Sequence, residues 1–232
     1  RTPVILLSDG YLANGSEPWN LPSVDSLPDI SVPFTTEPNH VDDEGNEVFW
    51  PYLRDETTLA RPWAIPGTPG LMHRVGGLEK KDGTGNIDYT PEVHLRAEKI
   101  AAIEADIPPT EINGDPDADV LVLGWGSTWA AIDASIQRSR RAGKSVASAH
   151  IMHLNPLPPD LGDVLRRFER VIVPELNMGQ LTALIRGKYL VDAECLSKVQ
   201  GMPFKSREIE AAIDEALASI ANSTDNSNGA TS

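Results

Sequence analysis

Thiols are nearly absent from this 232-residue sequence, which holds a single cysteine, Cys195. One thiol excludes an internal disulfide, and it excludes an iron–sulfur cluster or cysteine-ligated structural zinc built by this chain alone. Positive charge is also scarce: 20 Lys and Arg face 34 Asp and Glu, for a formal net charge of -14. Such a field repels nucleic-acid phosphates and anionic lipid headgroups, so neither nucleic acid nor a membrane is expected as a partner. Long apolar runs are missing too. Val120 to Leu123 is strand length, far short of a bilayer span, and no secretory segment opens the chain, which predicts a soluble, cytoplasmic protein. The sequence also lacks an initiator methionine. Arg1-Thr2-Pro3 leads at once into the apolar run Val4 to Leu7, which reads as a buried strand without a preceding neighbour, hence as part of a larger protein.

Proline and glycine, in contrast, are plentiful. After the run Val4 to Leu7 comes the polar exit loop Ser8-Asp9-Gly10-Tyr11-Leu12-Ala13-Asn14. From about residue 17 to residue 116, X-Pro pairs such as Glu17-Pro18, Trp50-Pro51 and Ile65-Pro66 bias the backbone toward extended conformations. The same stretch keeps Phe34, Phe49, Trp50, Tyr52 and Trp63, side chains that a solvated linker lacks, so it is expected to be ordered as a long arm. Helical spacing of Glu92, Leu95, Arg96, Lys99 and Ile100 predicts one helix in it, near 91–105.

From about residue 117 the pattern turns regular. It predicts strands at Asp119–Gly124, Ser145–Ala149 and Val171–Val173, with helices at about 127–142, 161–168, 178–189 and 206–221, the first stopped by Gly143. Alternating strands and helices imply an α/β domain with a parallel sheet. The polar end, 222–232, reads as a flexible tail.

No serine, threonine or cysteine stands in a nucleophile elbow. Cys195 falls in Asp192-Ala193-Glu194-Cys195-Leu196, which reads as helical and is expected to hold a buried, inert thiol. Gly124-Trp125-Gly126-Ser127-Thr128-Trp129 sits at a strand-to-helix junction, but Trp129 replaces the third glycine of a dinucleotide fingerprint, leaving a plain turn as the expected reading. His150 and His153 lack further convergent ligands, so no metal site is predicted. Glu175 and Asn177 lie where the third regular strand meets a helix. Asn177 has a capping side chain, and Glu175 is either a general acid or base at a cleft or a structural carboxylate. In Pro66 to Glu79, the residues His73, Arg74 and Glu79 are candidates for an interface or an active-site edge, Arg being suited to bidentate carboxylate contacts.

Four stretches in order, Leu7 to Asn14, Gly67 to Glu79, Leu123 to Thr128 and Val173 to Gln180, resemble the alpha subunit of two-subunit 2-oxoacid:ferredoxin oxidoreductases, most of all the type acting on 2-oxoglutarate. The resemblance implies oxidative decarboxylation on thiamine diphosphate, electrons passed through an iron–sulfur cluster to ferredoxin, and release of an acyl-coenzyme A. It implies that the diphosphate, magnesium and cluster cysteines belong mainly to a beta subunit. Residues 1–16 would end a pyrimidine-binding domain, 17–116 form the arm, and 117–221 form a transketolase C-terminal-like domain. The family's substrate motifs are absent, so catalytic residues cannot be assigned. Structure and assembly with the upstream alpha segment and the beta subunit are the implied roles. A pyruvate-type enzyme, the equivalent region of a transketolase or of a 2-oxoacid dehydrogenase beta subunit, and a non-catalytic interaction module are the alternatives.

Overall fold

The computed structural model describes residues 1–16, 18–76 and 89–229, with the side chains of Tyr11 and of residues 224–229 excepted. The chain divides into two units, one of residues 1–5 and 15–103 and one of residues 6–14 and 104–232.

In the second unit, apolar residues alternate along strands that bury both faces. A five-stranded sheet has the order β3-β5-β4-β6-β7, built from β3 (Ile112–Asn113), β4 (Val120–Trp125), β5 (Val146–Ile151), β6 (Arg170–Glu175) and β7 (Ala193–Ser197). β4 to β7 run parallel, and β3 joins β5 antiparallel at one edge. Val120, Val122 and Ile172 pack on one face against Ile132 and Ile136 of α3 (Trp129–Arg141) and Ile209 and Ile213 of α6 (Ser206–Gly229). Leu121, Leu123, Val171 and Val173 pack on the other against α4 (Leu161–Leu165) and α5 (Gln180–Tyr189). The sheet is therefore covered on both sides, as a parallel sheet requires. α3 ends at Gly143, whose φ of 78° suits glycine, and Arg138, Arg140 and Arg141 face the negative end of the helix dipole.

The first unit has little regular structure. β1 (His40–Val41) and β2 (Glu47–Val48) form a hairpin whose turn is fixed by the Asp42 carboxylate, which accepts the Glu44 and Asn46 N–H groups. Those bonds hold the Asp42 carboxyl below the usual range, the Asn46 backbone contributing most. Phe49, Ala60 and Leu71 are buried, so the proline-rich stretch folds around some of its own apolar side chains. The helix expected near 91–105 is α2 (Thr90–Ala102), which carries Pro91 in its first turn. An ion pair of Arg54 with Glu92 ties this helix to the loop, and Arg54 also donates to the Leu59 carbonyl oxygen.

Several expectations differ from the structure. Val4 to Leu7 form no strand and are exposed, because no described segment offers them the paired backbone a strand needs; the loop after them forms α1 (Gly10–Asn14). The sheet-bearing unit resumes at residue 104, ahead of the boundary expected near 117, and Ile112 and Asn113 already bond to β5. Residues 222–229, expected in a flexible tail, continue α6, because helix propagation satisfies the backbone of a polar sequence after the apolar stripe has ended. Cys195 lies in strand β7, not in a helix, and is exposed: among the described residues β7 pairs with β6 alone, so tertiary pairing overrides helical local preference and leaves the edge open to water.

Candidate functional site

In an open α/β sheet, ligands meet the carboxyl ends of strands where successive connections leave in opposite directions. Here that point lies between β4 and β6. β4 pairs with β5 along Val120–Trp125, but with β6 only from Val120 to Val122, so the two carboxyl ends part at the switch. The side chains on this edge come from Gly124 to Thr128, His150, and Glu175 to Gly179.

Glu175 closes β6 with 0% exposure, yet it forms no ion pair among the described residues. Its carboxylate accepts the N–H of Leu181 at 2.9 Å, the N–H of Thr182 at 2.8 Å and the Thr182 hydroxyl at 2.7 Å. The two N–H groups are orphan donors in the first turn of α5, and a negative charge at that terminus also complements the helix dipole. With its oxygens so engaged, Glu175 is a structural anchor for α5. Asn177 acts one turn earlier: its Oδ1 accepts the N–H groups of Gly179 and Gln180, and its carbonyl oxygen accepts the Ser197 hydroxyl. Gly179 between them has φ of 89°, and a Cβ there would stand 3.0 Å from the Cys195 sulfur. The two candidates of this segment therefore lock the β6–α5 turn together.

The β4–α3 turn is held by Thr128, whose hydroxyl accepts the Trp125 N–H and donates to its carbonyl oxygen. Ser127 reaches the Asp9 carboxylate at 2.8 Å, joining the segment before α1 to this edge. His150 packs beside Gly124, where a Cβ would lie 2.7 Å from its Nδ1 and 2.5 Å from Ile132 Cδ1, so only glycine permits the approach. The buried Nδ1 has no hydrogen-bond partner among the described residues. Burial pushes the His150 imidazole below its ordinary value of 6.5, against a smaller raising contribution from a hydrogen bond to the Gly126 backbone. His153 is exposed, and among the described residues no group of three His, Cys, Asp or Glu can hold a metal ion.

The remaining candidates lie in the first unit. His73 shares its Nδ1 with the Leu71 carbonyl oxygen at 2.7 Å and packs edge-on to Phe49. Arg74 is exposed, and Glu79 lies outside the described residues. The five candidates are therefore not one cluster: Glu175 and Asn177 share a turn, and His73 and Arg74 share a loop. Sequence reasoning missed a grouping in the first unit, where Arg54, Arg61, Arg96 and Lys99 line one hollow. These come from distant segments, and the one local sign is the helical spacing of Arg96 and Lys99.

No family model matches the chain. It is 50% identical over 225 residues to the 2-oxoglutarate oxidoreductase subunit KorA of Mycobacterium tuberculosis, a match covering 94% of this chain and 33% of that protein. It is 31% identical over 204 residues to the alpha subunit of 2-oxoacid:ferredoxin oxidoreductase 1 of Aeropyrum pernix, covering 80% of this chain and 29% of that one. Among solved structures, it superposes on the 2-oxoglutarate:ferredoxin oxidoreductase of Magnetococcus marinus, determined with 2-oxoglutarate, coenzyme A and succinyl-CoA bound. The TM-score is 0.62 at 30% identity, over 72% of this chain and 30% of that one. The chain thus spans about a third of the length of the curated relatives it matches.

Proposed function

We propose that this chain, which belongs to the alpha-subunit family of 2-oxoacid:ferredoxin oxidoreductases, is the C-terminal portion of a 2-oxoglutarate-type alpha subunit and serves the enzyme by scaffolding and assembly. The observation that carries the reading is 50% identity across 94% of the chain. The site geometry agrees with a supporting role, because Glu175 spends its oxygens on α5 and Asn177 spends its amide oxygen on a turn.

The whole enzyme would decarboxylate a 2-oxoacid, pass electrons to ferredoxin and release an acyl-coenzyme A in the cytoplasm. This chain's residues do not fit the metal groups of that chemistry: one thiol cannot ligate an iron–sulfur cluster, and the described residues offer no carboxylate cluster for the magnesium of thiamine diphosphate. Those groups would sit on a beta subunit and on upstream alpha residues, with which residues 1–16 and the first unit would pack. The exposed apolar run Val4 to Leu7 supports such packing, since burying it needs another chain segment.

The test is an assay of the intact assembly with 2-oxoglutarate and coenzyme A. Reduction of ferredoxin or a viologen, with a companion chain co-purifying, is the expected result. Reduction of NAD instead would favour a dehydrogenase, pyruvate as the faster substrate would favour the pyruvate type, and a stable isolated chain that binds no companion would overturn the assembly role.

A further inference from the structure

The antiparallel edge of the sheet leaves a hollow within the second unit. Val146 of β5 packs on the α3 side of the sheet, and Ala147, Ala149 and Ile151 pack on the other, so strand alternation turns Ser148 and His150 toward α3. Ile112 of β3 joins the opposite core, which puts its neighbours Glu111 and Asn113 on the same side as Ser148. Trp129 and Asp133, one turn apart on α3, complete the wall. The volume is about 350 Å³.

This lining carries charge of one sign. It holds the carboxylates of Glu111 and Asp133 and no Lys or Arg. Among the described residues the Glu111 carboxylate has no partner, and that of Asp133 accepts the Gln137 side-chain amide at 2.8 Å through one oxygen, leaving the other open. His150 brings no positive charge near neutral pH, because burial keeps its imidazole below 6.5. Acidic side chains at a surface are ordinarily just solvated. Two further features point to an occupant. Ser148 is only 6% exposed, yet its hydroxyl has no hydrogen-bond partner among the described residues, and a buried hydroxyl is costly when left unpaired. Trp129 is 57% exposed beside it, a large aromatic surface of the kind enriched where proteins meet.

We propose that this hollow receives an arginine side chain of a companion chain, its guanidinium lying against the Trp129 ring and donating to Asp133, Glu111 and the Ser148 hydroxyl. A guanidinium is flat, always charged and carries several donors in a fixed fork, so it stacks on an indole and meets several acceptors at once, which a lysine ammonium does less well. The volume lies near the lower limit of small-molecule sites, roughly 300–1,000 Å³, and suits one inserted side chain. A chain of net charge -14 is also best complemented by a partner that presents basic groups. The positive end of the α3 dipole opposes a cation, but its field fades within the first turn, and Asp133 stands in the second. The inference rests on the reading of this chain as part of an assembly.

The experiment is hydroxyl-radical footprinting of the intact assembly, with oxidation of Trp129 read by mass spectrometry. Trp129 should be oxidised slowly in the parent, and the double variant Glu111→Gln, Asp133→Asn should speed its oxidation by roughly fivefold, because the charge-assisted bonds that hold the guanidinium are lost. Trp19, exposed in the first unit, is the internal reference and should keep its rate. Equal Trp129 rates in parent and variant would overturn the proposal: equally fast means an empty hollow, equally slow a cover that these carboxylates do not hold. A photo-reactive benzoylphenylalanine in place of Asn113 captures the occupant. An arginine-bearing peptide of a companion chain supports the assignment, whereas a peptide without arginine, or one from the alpha chain itself, overturns it. Thermal unfolding of each variant, unchanged from the parent, separates lost docking from lost structure. A companion chain that co-purifies while Trp129 stays unprotected would leave the assembly reading intact and sink this inference alone.

Discussion

The two units of this chain keep their apolar residues in opposite ways. In the C-terminal unit, Leu121 and Leu123 are fully buried in a sheet covered on both faces, with helices supplying Ile136, Ile185, Ile209 and Ile213. In the N-terminal unit, Trp19, Leu21, Ile30 and Met72 stand exposed, while Phe49, Ala60 and Leu71 are buried and the Arg54–Glu92 pair is shielded from water. Stability therefore resides in different places: the C-terminal unit holds itself together by burial, whereas the N-terminal unit relies on local polar contacts and leaves apolar surface for other segments. Large exposed apolar surface is uncommon on isolated proteins and marks interfaces.

Truncating a side chain of each kind should separate the two units most sharply. Leu121→Ala should destabilise the C-terminal unit by about 4 kcal/mol, through lost burial and the cavity left behind. Leu21→Ala, at an exposed position, should change the stability of the isolated chain by no more than about 0.5 kcal/mol. Urea unfolding of both variants measures the contrast. A large effect of Leu21→Ala that appears only in the intact assembly would identify it as an interface residue.

Next in size is the ion pair of the first unit. Glu92→Ala leaves the Arg54 guanidinium, 10% exposed, without its partner, and should cost about 3 kcal/mol of that unit's stability. Limited proteolysis near residues 54–60 reports it, because Arg54 also holds the Leu59 carbonyl. If the cleavage rate does not change, the first unit is not held together by this pair and the comparison fails.

Glu175→Gln, expected to cost about 2 kcal/mol, tests the same division within the carboxyl edge of the sheet. The amide keeps the shape but offers one acceptor oxygen to donors that two carboxylate oxygens now satisfy. A loss of thermal stability with turnover of the assembly retained below the transition supports the anchoring role. Loss of turnover without loss of stability would instead make Glu175 a chemical group.

How much of this was legible in the sequence follows from the same physics. β4 and β6 were visible because strands covered on both faces carry unbroken apolar runs, Val120 to Leu123 and Val171 to Val173, and β5 because small and apolar residues follow the glycine stop at Gly143, whose φ suits glycine and which marked the end of α3. β7 was not visible: Ala193-Glu194-Cys195-Leu196-Ser197 is a half-exposed edge, with Glu194 paired to Arg170, and only its pairing with β6 makes it a strand. At the candidate site, Asn177 reads as a helix cap from residue type and place, but the cap of α5 is Gly179, and the Asn177 amide oxygen instead accepts the Gly179 and Gln180 N–H groups in the turn before the helix. The Glu175 bonds to Leu181 and Thr182 were not readable, because a carboxylate before a turn reads alike whether it faces a cleft or a helix end. The basic hollow escaped because Arg54, Arg61, Arg96 and Lys99 become neighbours only after folding.

The smallest expected effect concerns His150, the titratable group of the C-terminal unit that burial pushes below its ordinary value. The folded imidazole then takes up a proton at lower pH than the unfolded one. Above 6.5 both states are neutral and the residue adds no pH dependence. As pH falls through 6.5, the unfolded chain binds a proton that the folded one refuses, so stability is lost until the folded imidazole also titrates. Asp133 of α3 and Glu111 line the same hollow as His150. Comparison with His150→Asn isolates the imidazole: denaturant midpoints between pH 7.5 and 5.5 should fall less steeply in the variant. Equal slopes would mean that the unpartnered Nδ1 beside Gly124 is reached by water, and that this edge of the sheet is as open as the surface of the first unit.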